Sequence, residues 1–404
     1  MTRGHPMSQH FITIDEPHGP TPPRGFALWA LGFRPFYLLA SVFAALSIAL
    51  WAMQFSGWLG TAHLKGPAWH AHEMLFGFTL AVVTGFLFTA GRNWTGQPTP
   101  TGLPLALLAM LWLAGRVLVL TPWGWGAAIV NVGFTLSVAV ALARPLLASR
   151  NRRNYFFIGL LVGMAAAQLA FHLVQLGVLQ WPAWVGLQLG LDMLLLIIAV
   201  MTGRVLPMFT NNGVPGAGAR ASPLIEKLAV FLLIALLAID ALQLPGHFIG
   251  VLTLAAGAAH LARWVLWKPW TTLRAPLVWV LHAAYVWLPA HLFLRACAAW
   301  GWLPASAAIH ALTVGAAGGL IIGMMTRTAL GHTARPLRAG RLEVACYLLV
   351  LGAAPVRVFV PLAAPVWTAH ALLLSALLWS TGFALYAIGY GALLTRPRLD
   401  GKPG

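Results

Sequence analysis

The chain has 404 residues, of which 60% are hydrophobic and only 8% charged, and it carries a net charge of +17 at pH 7. Soluble domains hold roughly 25% charged residues, so this is the composition of an integral membrane protein, with no polar stretch long enough for a second, water-soluble domain. Nucleic-acid binding is excluded as well, because it needs a basic face on a water-exposed module.

The first 25 residues are polar, Pro-rich and His-bearing. They lack an apolar core of the kind a secretory signal needs, so no cleaved leader is expected. The sequence predicts an N-terminal tail over 1–31, a membrane domain over 32–394 and a short C-terminal tail over 395–404. Apolar continuity and Gly/Pro/Arg punctuation predict an all-α polytopic bundle of about twelve transmembrane helices. The first six run Gly32–Phe55, Trp69–Arg92, Gly102–Leu120, Gly124–Ala143, Asn154–Val178 and Trp184–Leu206. The second six run Leu224–Gln243, Gly246–Trp267, Ala275–Ala299, Ser306–Arg327, Leu342–Val360 and Val366–Leu394. Trp58, Trp69, Trp94, Trp123, Trp181 and Trp267 fall near span ends, where indoles favour the interface.

Of the 25 Lys and Arg residues, 21 fall in the tails and even-numbered connections and 4 near the odd-numbered ones. By the positive-inside rule both termini are cytoplasmic, and His70, His72 and His310 lie toward the opposite face. The two cysteines, Cys297 and Cys346, sit in apolar spans, and Cys-x-x-Cys-His does not occur. Any haem is therefore expected to be held without covalent attachment.

Span two opens on Trp69-His70-Ala71-His72-Glu73-Met74. Ionisable groups in a bilayer cost roughly 2.5–3.5 kcal/mol each when charged at the helix centre, so they usually carry a function or a partner. Pro67 suits a helix start, and Glu73 suits the positive end of the helix dipole. At 3.6 residues per turn His70 and Glu73 share a face, whereas His72 points nearly opposite to His70. One helix therefore does not aim both imidazoles at one ion, and separate duties are expected. Phe76 stands where a zincin would place its second histidine.

Span ten repeats the pattern. His72-Glu73-Met74-Leu75-Phe76-Gly77 aligns with His310-Ala311-Leu312-Thr313-Val314-Gly315, and the same offset pairs Gly85 with Gly323, Thr95 with Thr333 and Pro98 with Pro336. Span six gives a fainter echo, since Arg204 to Thr210 keeps the spacing of Arg327 to Thr333. Three four-helix units are expected if this is a true repeat; chance likeness among Gly-rich helices is the rival. The equivalence makes His72 and His310 the candidate axial pair for a haem iron, with His70 and Glu73 adjoining. His172, His291 and His370, on the same side, are candidates for copper, which takes imidazole readily. On the other side, His260 and Arg263 share a face of span eight, and His282 and Tyr285 share one of span nine. Arg204, Arg263 and Arg327 either pair with haem propionates or anchor the topology. Asp192 is a candidate hydrogen-bond partner for an imidazole, and Asp240 reads as interfacial. Asn211-Asn212-Gly213 and Gly216-Ala217-Gly218 read as loop.

At these residues the chain resembles the NnrS family of bacterial membrane proteins. The likeness is carried by Gly32-Phe33-Arg34-Pro35-Phe36, by Trp69 to Gly77, by Asn93-Trp94-Thr95-Gly96, by His310 to Gly315, and by Gly331-His332-Thr333-Ala334-Arg335-Pro336-Leu337. Ala334 stands where the family usually has Gly. The resemblance implies a multi-pass inner-membrane protein containing haem b and copper and tied to nitric oxide and nitrosative stress. It supplies neither a settled reaction nor a ligand set. Twelve spans in three units also resemble the architecture of haem-copper oxidase catalytic subunits, an analogy of fold alone; the copper histidines those oxidases carry in spans six and seven are missing here. Three readings stay open: a protein, with an unknown electron donor, that handles nitric oxide or its nitrosyl products; a transporter of metal, haem or a small anion; and a haem-based sensor or assembly factor without turnover. The expected partners are the lipid bilayer and nitric oxide species, with no nucleic acid.

Overall fold

The computed structural model describes residues 25–55 and 62–402. The N-terminal segment 1–24 and Trp58 lie outside the described residues. Among the described residues every regular element is helical.

All twelve predicted spans are present as helical rods. Ten are long and apolar enough to cross a membrane: Phe33–Trp51, Gly66–Thr95, Gly124–Ala148, Arg152–Gln175, Val185–Gly213, Gly246–Leu266, Pro276–Ala299, Ala305–His332, Arg341–Ala363 and Pro365–Thr395. The other two, Gly102–Leu118 and Pro223–Ala241, occupy the places of spans three and seven. The first is short, and the second carries Glu226, Lys227 and Asp240 in a single helix. The protein is a multi-pass helical membrane protein.

Local signals set the ends. Pro67 sits in the first turn of span two, where its missing N–H leaves no orphan. Gly96 closes the same span in the left-handed conformation, with φ +66°, as helix-terminating glycines do. Span six runs further than the sequence suggests, through Asn211-Asn212-Gly213 to the last of these. The Asn211 side chain replaces the expected loop with a staple: it donates to the Ala219 carbonyl (3.0 Å) and accepts from the Ala219 N–H (2.8 Å). The following loop turns on Gly216 and Gly218, both with positive φ, as expected. Two tryptophans expected at the interface are instead buried. Trp69 is packed in the bundle, and Trp267 lies beneath the Arg263 guanidinium at 4.7 Å.

Consecutive spans are neighbours, and span one packs against span twelve, so the chain closes a ring. Spans two, six and ten line its interior. With Tyr37 of span one they line a half-open apolar pocket of about 100 Å³, bounded by Thr79, Val83, Ile197, Met201, Leu320 and Met324 among others.

The likeness between spans two and ten extends to the backbone. Span two is α-helical over Gly66–His72 and widens into a π-helix over Glu73–Thr79. Span ten is α-helical over Ala305–His310 and widens at the same point, over Ala311–Gly318. The change falls immediately after His72 and immediately after His310. Such widenings rotate one face of a helix relative to the rest and recur at functional sites. The Thr79 hydroxyl donates to the Met74 carbonyl five residues earlier (2.8 Å), which helps satisfy the loosened backbone. Span six shares one detail only. Thr95, Thr210 and Thr333, aligned by sequence, each bond the carbonyl four residues back, at 2.6, 2.8 and 2.6 Å.

Candidate functional site

His72 is fully buried, and its surroundings fix its tautomer. Its Nδ1–H donates to Glu73 Oε1 at 2.7 Å. The same oxygen accepts from Arg116 Nη1 of span three, also at 2.7 Å. Arg116 continues to the Asn131 side-chain carbonyl on span four. Thr135, one turn on, donates its hydroxyl to Gln168 Oε1 of span five at 2.8 Å. Gln168 lies one turn before His172. Four spans are thus tied by one polar network in an apolar bundle, where unpaired polar groups cost most.

The network leaves selected atoms free. His72 Nε2, both ring nitrogens of His172 and Nε2 of His63 are buried without a partner among the described residues. The rings of His72 and His172 meet at 4.8 Å in a T, and His63, on the connection before span two, stacks on His172 at 5.7 Å. A carboxylate on one imidazole nitrogen, with the other nitrogen left open, is the arrangement that orients a histidine for a metal. Among the described residues no group of three or more His, Cys, Asp or Glu side chains is placed to hold a metal ion.

The donor set bears on which group fits. Metal–imidazole bonds run about 2.0–2.1 Å, and two axial imidazoles must also leave room for a porphyrin between them. Rings 4.8 Å apart in a T leave no such room. His72 and His172 suit a small soft-to-borderline ion such as copper.

The proposed His72–His310 pairing is not what the geometry forms. His72 is surrounded by Phe76, Phe171, His172 and Glu73. On span two it is His70 that lies near His310, with Arg357 of span eleven near both. The reason is the helical turn that sets His70 and His72 on nearly opposite faces. His310 donates Nδ1–H to the Ser306 carbonyl at 2.7 Å, which leaves its Nε2 as the lone-pair nitrogen. His70 packs on Trp51 at 5.6 Å, and its Nδ1 has no partner among the described residues.

Other predicted residues take local partners. His291 donates Nδ1–H to the Ala308 carbonyl at 2.7 Å, and its Nε2 is buried without a partner. His370 is exposed against Trp367 and stands apart from the other histidines. His260 meets the Tyr285 hydroxyl at 2.6 Å, so that phenol belongs to His260 and not to His282. His282 meets Thr210 at 2.7 Å. Arg263 is buried and bound to Glu226 (3.1 Å) and the Ala199 carbonyl (2.8 Å). It neutralises a carboxylate of the chain itself. Arg204 bonds Asn154 at 2.6 Å, and Arg327 lies 3.9 Å over the Phe209 ring. Asp192 and Asp240 both bind Arg295, at 3.0 and 2.5 Å, so Asp240 is part of a buried triad and not merely interfacial.

Sequence reasoning missed His63, Arg116, Asn131, Gln168, Arg295 and Arg357. For the arginines a signal existed: Arg116, Arg295 and Arg357 are three of the four cations near odd-numbered connections, and each now has an acid or histidine to serve.

A search of curated proteins finds no match for this chain. The NnrS protein family model matches residues 27–398, nearly the whole chain, and the chain belongs to that family.

Proposed function

We infer that this chain is a haem- and copper-binding inner-membrane protein that handles nitric oxide or its nitrosyl products during nitrosative stress. Family membership supports the link to nitric-oxide stress and the membrane setting. The observation that carries the metal reading is His72, pinned through Nδ1 by Glu73 and left open at Nε2 beside His172. Copper bound there would supply a redox-active ion that takes imidazole and small exogenous ligands. His72 and His172 would hold it, Glu73 and Arg116 would fix the His72 ring, and Phe171 and Phe76 would keep bulk water away. For haem b the residues that fit are His310, with its Nε2 open, and His70 on the facing side of span two, with Arg357 beside both. Arg204 and Arg327 lie at the opposite end, and the clustering of arginines there supports reading it as the cytoplasmic one.

The test is an optical spectrum and metal analysis of purified protein. His72→Ala and His172→Ala are expected to lose copper and keep haem, and His310→Ala to lose the Soret band. Protein with no copper and no haem under metal-replete expression would sink this reading. Substrate-dependent uptake by such protein in liposomes would then favour transport.

A further inference from the structure

Four of the chain's six tyrosines are gathered between spans one, eleven and twelve. Tyr37, Tyr347, Tyr386 and Tyr390 are all buried, and Tyr386 feels each of the other three. The rings of Tyr386 and Tyr390 stack with centroids 4.5 Å apart and planes 11° apart. Tyr390 donates its hydroxyl proton to Glu343 Oε1 at 2.8 Å. The other oxygen of Glu343 accepts the Gly340 N–H at 2.7 Å, which holds the carboxylate in place at the start of span eleven. The Tyr386 hydroxyl has no acceptor among the described residues.

This geometry separates the two phenols chemically. Removing an electron from a buried phenol alone leaves a cation in an apolar core, which is strongly disfavoured. Tyr390 has a base within the 2.6–3.2 Å reach that proton transfer needs. Its oxidation can release the proton as the electron leaves, and the carboxylate is neutralised in the same event. Tyr386, in face-to-face contact, lies where it can share the resulting vacancy. Simple capping explains the Gly340 bond to Glu343 but not the stacked phenol pair beyond it.

We propose that Glu343, Tyr390 and Tyr386 form a one-electron donor site for small neutral radical oxidants, the class that enters an apolar core without the cost of burying a charge, with nitrogen dioxide as the probe. In the step, nitrogen dioxide gains one electron and becomes nitrite. Tyr390 loses that electron, its O–H bond breaks, and the proton passes to Glu343 Oε1. The products are a neutral phenoxyl radical and a neutral carboxylic acid. The site does not depend on the metal centre, because it lies at the other end of the bundle and needs no metal ligand.

The experiment generates nitrogen dioxide by pulse radiolysis of nitrite in the presence of purified full-length protein. Phenoxyl absorbance is followed in time, and electron paramagnetic resonance separates phenoxyl from indolyl radicals. Wild-type protein is expected to give a phenoxyl signal that persists in a Tyr155→Phe/Tyr285→Phe variant and vanishes in Tyr386→Phe/Tyr390→Phe. Glu343→Gln keeps both phenols but removes the base, and is expected to slow radical formation at least about tenfold. Where the double phenylalanine variant does not fold, the Glu343→Gln rate decides. A phenoxyl signal surviving loss of both stacked tyrosines, or formed at the wild-type rate in Glu343→Gln, overturns the proposal, as does no phenoxyl signal at all.

Discussion

Glu73 and Arg116 meet at 2.7 Å, with no exposure of the acid and 7% exposure of the arginine. Taking two charges out of water costs several kcal/mol per ion, and their attraction offsets it only when hydrogen bonds complete both groups. Here His72 and Asn131 supply part of that completion, and Glu73 Oε2 and Arg116 Nε stay without a partner among the described residues. Removing one partner leaves the other charge uncompensated. Arg116→Met is expected to destabilise the folded protein by about 3–5 kcal/mol. Arg116→Met/Glu73→Met should recover much of that loss. Thermal unfolding in detergent checks both; equal losses in the single and double variants would show that the pair is not the source.

Glu73 also orients the His72 ring. Glu73→Gln keeps the size and a hydrogen-bonding oxygen but removes the charge that favours one tautomer. Copper affinity is expected to fall about 10- to 100-fold, the usual effect of losing a carboxylate behind a metal-bound histidine. Competition titration with a chelator of known affinity measures it, and unchanged affinity would mean that the carboxylate serves only Arg116.

Gly77 lies in the π-helical segment, where a Cβ would run into the Arg116 guanidinium. Its carbonyl accepts the Trp112 indole N–H at 3.0 Å, so span three is held close on both counts. Gly77→Ala should push Arg116 off Glu73 and lower stability in the same direction as Arg116→Met. A double-mutant cycle between the two positions should show strong coupling; additive losses would place the effect elsewhere.

Arg295 stands between Asp192 and Asp240 in a second buried network, one cation for two acids. Arg295→Leu strands both carboxyls and is expected to cost about 3–5 kcal/mol. Adding Asp192→Asn and Asp240→Asn to the same protein should restore most of the melting temperature. Failure of the triple variant to recover would show that the cost is packing of the long side chain.

Orientation has its own check. Lys65 and Arg338 are exposed and lie at opposite ends of the bundle by connection parity. In whole cells, cysteine placed at position 65 should react with a membrane-impermeant maleimide, and cysteine at 338 should react only after permeabilisation. The reverse pattern would invert the topology.

The rods were legible because a bilayer-spanning helix announces itself by length and apolarity. Span seven was found in spite of Glu226, Lys227 and Asp240, since apolar residues continue between them. The helical angle between His70 and His72 was also readable, and it anticipated that they face different neighbours. What the angle left open was which neighbours. His172 as the partner of His72, and His70 as the side turned to His310, depend on packing between distant helices. The π-helical segments were invisible because they change hydrogen-bond register without changing composition. Alignment of His72 with His310 matches the change of helix type that follows each of them and is misleading as a contact: positions that align in sequence need not point at each other. The expected loop at Asn211 failed for a related reason, since a side-chain staple to Ala219 extended the helix where propensity ended it.

The half-open apolar pocket between spans two, six and ten has a mechanical consequence. Its lining offers no polar atoms to recruit water, so the helices around it lack contacts on one side and retain freedom to shift. Compression should therefore act on this protein more strongly than heat alone suggests, favouring arrangements that eliminate the empty volume. Xenon, which occupies such hollows without bonding, should stiffen the same three helices and oppose that collapse.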